Sequence, residues 1–332
     1  MKPFADRIMD AIDGKQNPTC VGLDPRFDMM PGFLKEECQA KYGENFEAIG
    51  ECFLEFNRAI IDAVKDHVAV VKPQAAYYEA YGAAGIGALQ ETVEYAMNKG
   101  LLVIIDAKRN DIGPTAEMYS RTYLGKVDSW SGPTPCFDVD ALTVSPYLGR
   151  DGIDPFINDC MAYGKGIFVL VKTSNPSSID FQDIPTIFEH PDNDTIVADQ
   201  AVAPAYVGVA ERVRSWGKEV MGDRNYSSIG AVVGATFPHE AEKLRKLMPA
   251  SFFLVPGYGA QGGTASDVMN CFDEDGFGAI VSSSRGIIYA DRSDKCAGRY
   301  AEGDYSLAAA DAAIAMRNDI INAMRSCGKY PW

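Results

Sequence analysis

The chain has 332 residues, 47% hydrophobic and 23% charged, with a formal net charge of -15. This is the composition of a globular protein with ample length for a large core. The acidic balance argues against nucleic acid or an anionic membrane as partner, and no apolar run of about 18 residues marks a membrane span.

The opening MKPFADRIMDAIDGK lacks the apolar stretch of a secretory leader and predicts a helix over Phe4 to Ile12. Eight short apolar runs then follow in order: TCVGLDP, VAVVKPQ, LLVIIDAKR, ALTVSPY, GIFVLVKTSN, IGAVVGAT, FFLVPGYG and GAIVSSSRG. Several are rich in Val and Ile and bounded by Gly or Pro, as strands buried on both faces are. Amphipathic segments separate many of them, among them FLEFNRAIIDAVKDH, IGALQETVEYAMNKG and HEAEKLRKLMP. A closing helix is expected over about Leu307 to Met324. Repeated β-α units predict a parallel sheet with right-handed crossovers.

Eight units predict a closed (β/α)8 TIM barrel, with an open doubly wound sheet as the alternative. The first strand is not followed by G-x-G-x-x-G. Polar residues recur at the C-terminal ends of the runs, where a barrel gathers its active site. The expectation is a single barrel domain over 1-332 with long insertions after strands 3 and 5. The first contains GKVDSWSGPTPCF; the second, 176-228, contains DIPTIFEHPDNDTIVADQ and a helix in APAYVGVAERVRSWGKE. Connections of this length are usually functional. The eight cysteines are scattered, with no C-x-x-C pair, and read as reduced thiols of a cytoplasmic protein. With only His67, His190 and His239, a His-rich metal site is not expected.

The third strand ends in IIDAKRNDIG, a concentration of charge that is expensive to bury unpaired. Residues two apart share a strand face, so Asp106 and Lys108 are expected to point the same way, with Asp111 just beyond. Lys72 enters from the neighbouring strand and Asp24 from the one beyond it. Alternating carboxylates and lysines would neutralise one another, hold Lys108 as an ammonium proton donor, and set Asp106 against a bound group. If that group is a carboxylate, loss of CO2 relieves the repulsion and lysine protonates the carbanion. A structural ion-pair cluster is the alternative.

At the other end of the chain, PGYGAQGG and SSSRG follow strands 7 and 8, a common place for phosphate in barrels. Gly262 and Gly263 are expected to offer backbone N–H groups at close approach, Gln261 its side-chain amide and Arg285, beside Ser284, a planar fork. Ser174 in VKTSNPSS is a candidate ligand to a ring. Lys172 raises a different option, a Schiff-base lysine as in some barrel aldolases.

DAKRNDIGPT, together with CVGLDPR, VVKPQAAYYEAYG, LTVSPYLGRDG, VKTSNPSS, VPGYGAQGG and SSSRGIIYA in that order, resembles the orotidine 5'-monophosphate decarboxylase family in its longer bacterial-type branch. The resemblance implies a (β/α)8 barrel that converts orotidine 5'-monophosphate to uridine 5'-monophosphate, dimeric, without metal or other cofactor. It implies that Lys108 protonates C6, that Asp106 faces the departing carboxylate, and that Asp24 and Lys72 contact the ribose. Asp111 and Thr115 would enter the partner's site, Ser174 would meet the pyrimidine, and Gln261 and Arg285 would clamp the phosphate. Asn110 stands where the family often has Gly. The rival readings are a Mg2+-dependent phosphosugar decarboxylase or aldolase of the same superfamily, and a non-catalytic phospholigand-binding barrel.

Overall fold

A computed structural model describes residues 1-187, 202-259, 261-293, 296 and 298-332. Eight strands form where the apolar runs lie: β1 Thr19–Leu23, β2 Val70–Pro73, β3 Leu102–Arg109, β4 Ala141–Val144, β5 Gly166–Lys172, β6 Ser227–Val233, β7 Ser251–Val255 and β8 Ala279–Ser283. They close into a barrel in the order β1-β8-β7-β6-β5-β4-β3-β2. The ladders with described register are parallel. β1, β6 and β7 are buried at every residue, which is why these runs carry no polar alternation. The open-sheet alternative is thereby excluded.

By their contacts the residues fall into two compact units. One comprises Ala11–Ala107 and Ser282–Asp319. Here the helix Phe46–Val64, started by Asn45 accepting from the N–H of Ala48 at 2.9 Å, packs against the helix Gly82–Asn98. Phe56 stacks between Tyr289 and Tyr305, with centroids at 5.5 and 5.0 Å. The other unit comprises Met1–Asp10, Lys108–Val281 and Ile320–Trp332. In it the Arg245 side chain donates to the carbonyls of Met248, Pro249, Ser251, Cys271 and Gly278 and lies over the Phe253 ring. The first helix runs Phe4–Lys15 and the last Tyr305–Ser326, each a little longer than expected.

Both predicted insertions are present. After β3 and the helix Gly113–Tyr123, Val127 and Thr134 bond each other's backbone at 2.9 Å. After β5 come a short helix, Ile179–Gln182, a two-residue antiparallel ladder of Pro185–Thr186 with Ala203–Pro204, and the helix Ala205–Gly217. The part of the second insertion from 188 to 201, with His190, lies outside the described residues. Among the described residues no helix is long and apolar enough to cross a membrane. All eight cysteines are free thiols.

Candidate active site

The charged end of β3 and its neighbours is built first by register. Gly22 of β1 pairs with Lys72 of β2, which places Asp24 and Lys72 at adjoining strand ends. Lys72 Nζ donates to Asp106 Oδ2 at 2.9 Å. Both residues are buried, at 5% and 9% exposure. Burial by itself would lower the lysine pKa, but the charges of Asp106 and Asp24 outweigh it and raise it, so Lys72 stays an ammonium. Three of the five predicted charges therefore form one array, and the lysine compensates both carboxylates.

A residue that sequence reasoning did not single out completes this array. Gln74 Nε2 donates to the same Asp106 Oδ2 at 3.0 Å, and the backbones of Gln74 and Asp106 form a bridge. The signal was available: Gln74 lies two residues past Lys72 at the same strand end. Beneath them, burial pushes the Cys20 thiol up to about 12, although Lys72 and a hydrogen bond to Ser282 pull the other way. That thiol is inert packing rather than a nucleophile.

The regular extended backbone of β3 is interrupted at Lys108. Its φ is +50°, in the left-handed region, a conformation worth on the order of 1–3 kcal/mol of strain for a side-chain-bearing residue. β4 holds it there: Thr143 Oγ1 accepts from the Lys108 N–H at 2.9 Å, and the Ser145 N–H donates to the Arg109 carbonyl at 2.9 Å. Within β3, Asp106 is buried and Lys108 exposed. Asn110 does not take the positive φ that glycine favours; Lys108 and Gly113 do. Asp111 accepts from the N–H of Ile112 at 2.8 Å. Thr115 is exposed in the first turn of the following helix.

The glycine loop after β7 is a tight, internally bonded turn. The N–H of Gly262 bonds the Gly259 carbonyl at 2.9 Å, and that of Gly263 bonds Gly257 at 3.1 Å. These two bonds close the turn. Gly262 is required by its φ of +97°. What the turn does is place the Gln261 side chain against one side of Gly257, with Ser174 against the same glycine. Thr236 Oγ1 donates to the Ser174 carbonyl at 3.1 Å.

After β8, Ser284 precedes a one-turn helix, Arg285–Ile288, and Arg285 is exposed. Ser284 can sit there because β1 carries Gly22: a Cβ at that position would lie 1.8 Å from Ser284 Oγ. Tyr289 then anchors the loop after β1, its hydroxyl accepting from the Arg26 N–H at 2.6 Å. Lys172 is not a Schiff-base candidate. Its side chain is fully buried and its Nζ is paired with Asp183 at 2.7 Å, so a carbonyl substrate has no approach. Among the described residues no three His, Cys, Asp or Glu side chains converge as a metal ligand set.

Comparison with known proteins places the chain in a family. The family model described as Orotidine 5'-phosphate decarboxylase / HUMPS family matches residues 18–300. Orotidine 5'-phosphate decarboxylase of Caldicellulosiruptor bescii is 43% identical over 290 residues, covering 87% of this chain and 90% of that protein. The same enzyme of Rhodopirellula baltica is 42% identical over 320 residues, 96% and 99% of the two chains. Among solved structures, Leishmania donovani OMP decarboxylase superposes with a TM-score of 0.69 at 28% identity, covering 98% of this chain and 99% of that one. The chain belongs to the orotidine 5'-phosphate decarboxylase / HUMPS family.

Proposed function

We propose that the protein decarboxylates orotidine 5'-monophosphate to uridine 5'-monophosphate, the step that completes the pyrimidine nucleotide, using only its own side chains. The observation that carries this reading is the buried Lys72–Asp106 ion pair, with the half-buried Asp24 adding its charge beside Lys72. The family description covers two chemistries. The two relatives, 43% and 42% identical over most of their length, carry the decarboxylase name. The Mg2+-dependent reading needs a cation among carboxylates. Here the Lys72 ammonium already compensates Asp24 and Asp106.

In the proposed reaction the C6–carboxylate bond breaks, its electron pair stays on C6 and CO2 departs. Lys108 donates a proton from Nζ to C6, and solvent restores the proton to the lysine. Asp106, paired with Lys72, opposes the substrate carboxylate. Fixed charges of this kind act without reorganising during the reaction. Asp24 and Lys72 bind the ribose hydroxyls, Ser174 meets the pyrimidine, and Gln261, Ser284 and Arg285 take the phosphate. Gly262 and Gly263 shape that loop. The whole chain acts as one catalytic domain.

The working form in this reading is a cytoplasmic homodimer in which Asp111 and Thr115 reach the partner's site. Exposed Ile112, Met118, Tyr147 and Leu148 in the same compact unit support an apolar contact there, and eight free thiols suit a reducing compartment. The absorbance of orotidine 5'-monophosphate, followed with and without EDTA, tests the reaction. Equal rates are expected; activity lost on chelation and restored by Mg2+ would promote the phosphosugar reading, and no turnover at all the non-catalytic one.

A further inference from the structure

Lys172 has no part in the reaction scheme, yet its ammonium is fully buried. Its Nζ lies 2.7 Å from Asp183 Oδ1, 4.5 Å from the Phe237 ring centroid and 5.4 Å from that of Tyr206. The adjacent residue is gripped as well. The Thr173 N–H donates to Gln182 Oε1 at 2.9 Å, and Gln182 Nε2 donates to Thr173 Oγ1 at 2.7 Å. Two consecutive residues of the insertion thus hold two consecutive residues at the end of β5. The β5–β6 register shifts between Leu170 and Lys172; an irregularity of this kind re-aims side chains.

The same contacts fasten the roots of the insertion. Immediately after Asp183, the Ala205 N–H donates to the Ile184 carbonyl at 2.9 Å, and Pro185 and Thr186 pair with Pro204 and Ala203. A buried ion pair adds little stability over apolar residues of similar volume; what it can add is a defined geometry. The next residue along from Thr173 is Ser174, the proposed contact to the pyrimidine.

We propose that Lys172 and Asp183 are a positioning pair: by clamping the insertion to the end of β5 they hold Ser174 in register with the base, acting on substrate binding and not on proton transfer. The inference rests on the role assigned to Ser174. Asp183 is the residue to change, because its own side chain is 35% exposed; the melting temperatures read the cost of leaving the buried Lys172 ammonium without its partner. The kinetics of Asp183→Ala, Asp183→Glu, Ser174→Ala and the Asp183→Ala/Ser174→Ala double variant are measured with orotidine 5'-monophosphate, alongside melting temperatures. Asp183→Ala is expected to lower kcat/KM about ten- to a hundredfold, mainly through KM, as small misplacements of binding groups do. Asp183→Glu should recover most of the loss, and the double variant should be no worse than Ser174→Ala alone. An unchanged KM in Asp183→Ala, or losses that multiply in the double variant, overturns the clamp. A silent Ser174→Ala beside a raised KM in Asp183→Ala overturns instead the assignment of Ser174, and the two failures are distinct.

Discussion

Lys72→Met removes the cation between Asp24 and Asp106 while keeping most of the side chain's length and apolar volume. Lys72 Nζ lies 2.9 Å from Asp106 Oδ2, with the two side chains 6% and 13% exposed. At that separation, with an effective dielectric of about 20, the Coulomb attraction is about 6 kcal/mol. Desolvation of the ammonium offsets part of it, so losing one partner of such a buried pair should cost about 3–5 kcal/mol. The loss also depends on pH. In the wild type the folded pKa of Lys72 is raised, so its contribution is complete below the unfolded lysine pKa and is lost only as pH rises through the higher folded value. It is constant from pH 5 to pH 8. In the variant, Asp24 and Asp106 repel each other, and protonation of one relieves them. The raised carboxyl pKa then makes the variant recover stability as pH falls. Urea unfolding at pH 5 and pH 8 reads the difference: a gap to wild type of the full size at pH 8 and a smaller one at pH 5. Equal losses at both pH values would refute the paired-carboxylate reasoning.

Two further expectations concern the remaining proposed roles. Arg285→Ala should weaken binding of both substrate and product by on the order of 2 kcal/mol or more, as for a charge-assisted bidentate contact. Orotidine lacking its phosphate should respond little; equal losses for both substrates would indicate a folding defect. Lys108→Ala and Asp111→Ala should each be nearly inactive alone. Mixed under proven subunit exchange, they should regain up to roughly a quarter of wild-type activity, because half of the dimers then hold one intact site assembled from both chains. A mixture as inactive as its parts would place Asp111 in its own subunit's chemistry.

The sequence by itself was enough for the barrel and for the residues at its strand ends. Parallel strands buried on both faces need unbroken apolar runs, and a charge directly after such a run marks the point where the strand leaves the core. Hence β1 through β8 and the strand-end placement of Asp24, Lys72 and Asp106 were legible one by one. The tertiary structure decided what depends on partners distant in the chain. Thr143 of β4 holds Lys108 at φ +50°, which a strand alternation rule does not anticipate. Gly262 and Gly263 bond their N–H groups to the carbonyls of Gly259 and Gly257. Lys172 had the look of a reactive lysine until Asp183 and two aromatic rings enclosed it. Strand burial is written in local hydrophobicity, whereas the state of a polar side chain is set by whichever groups the fold brings within about 3 Å of it, and these come from other strands and insertions.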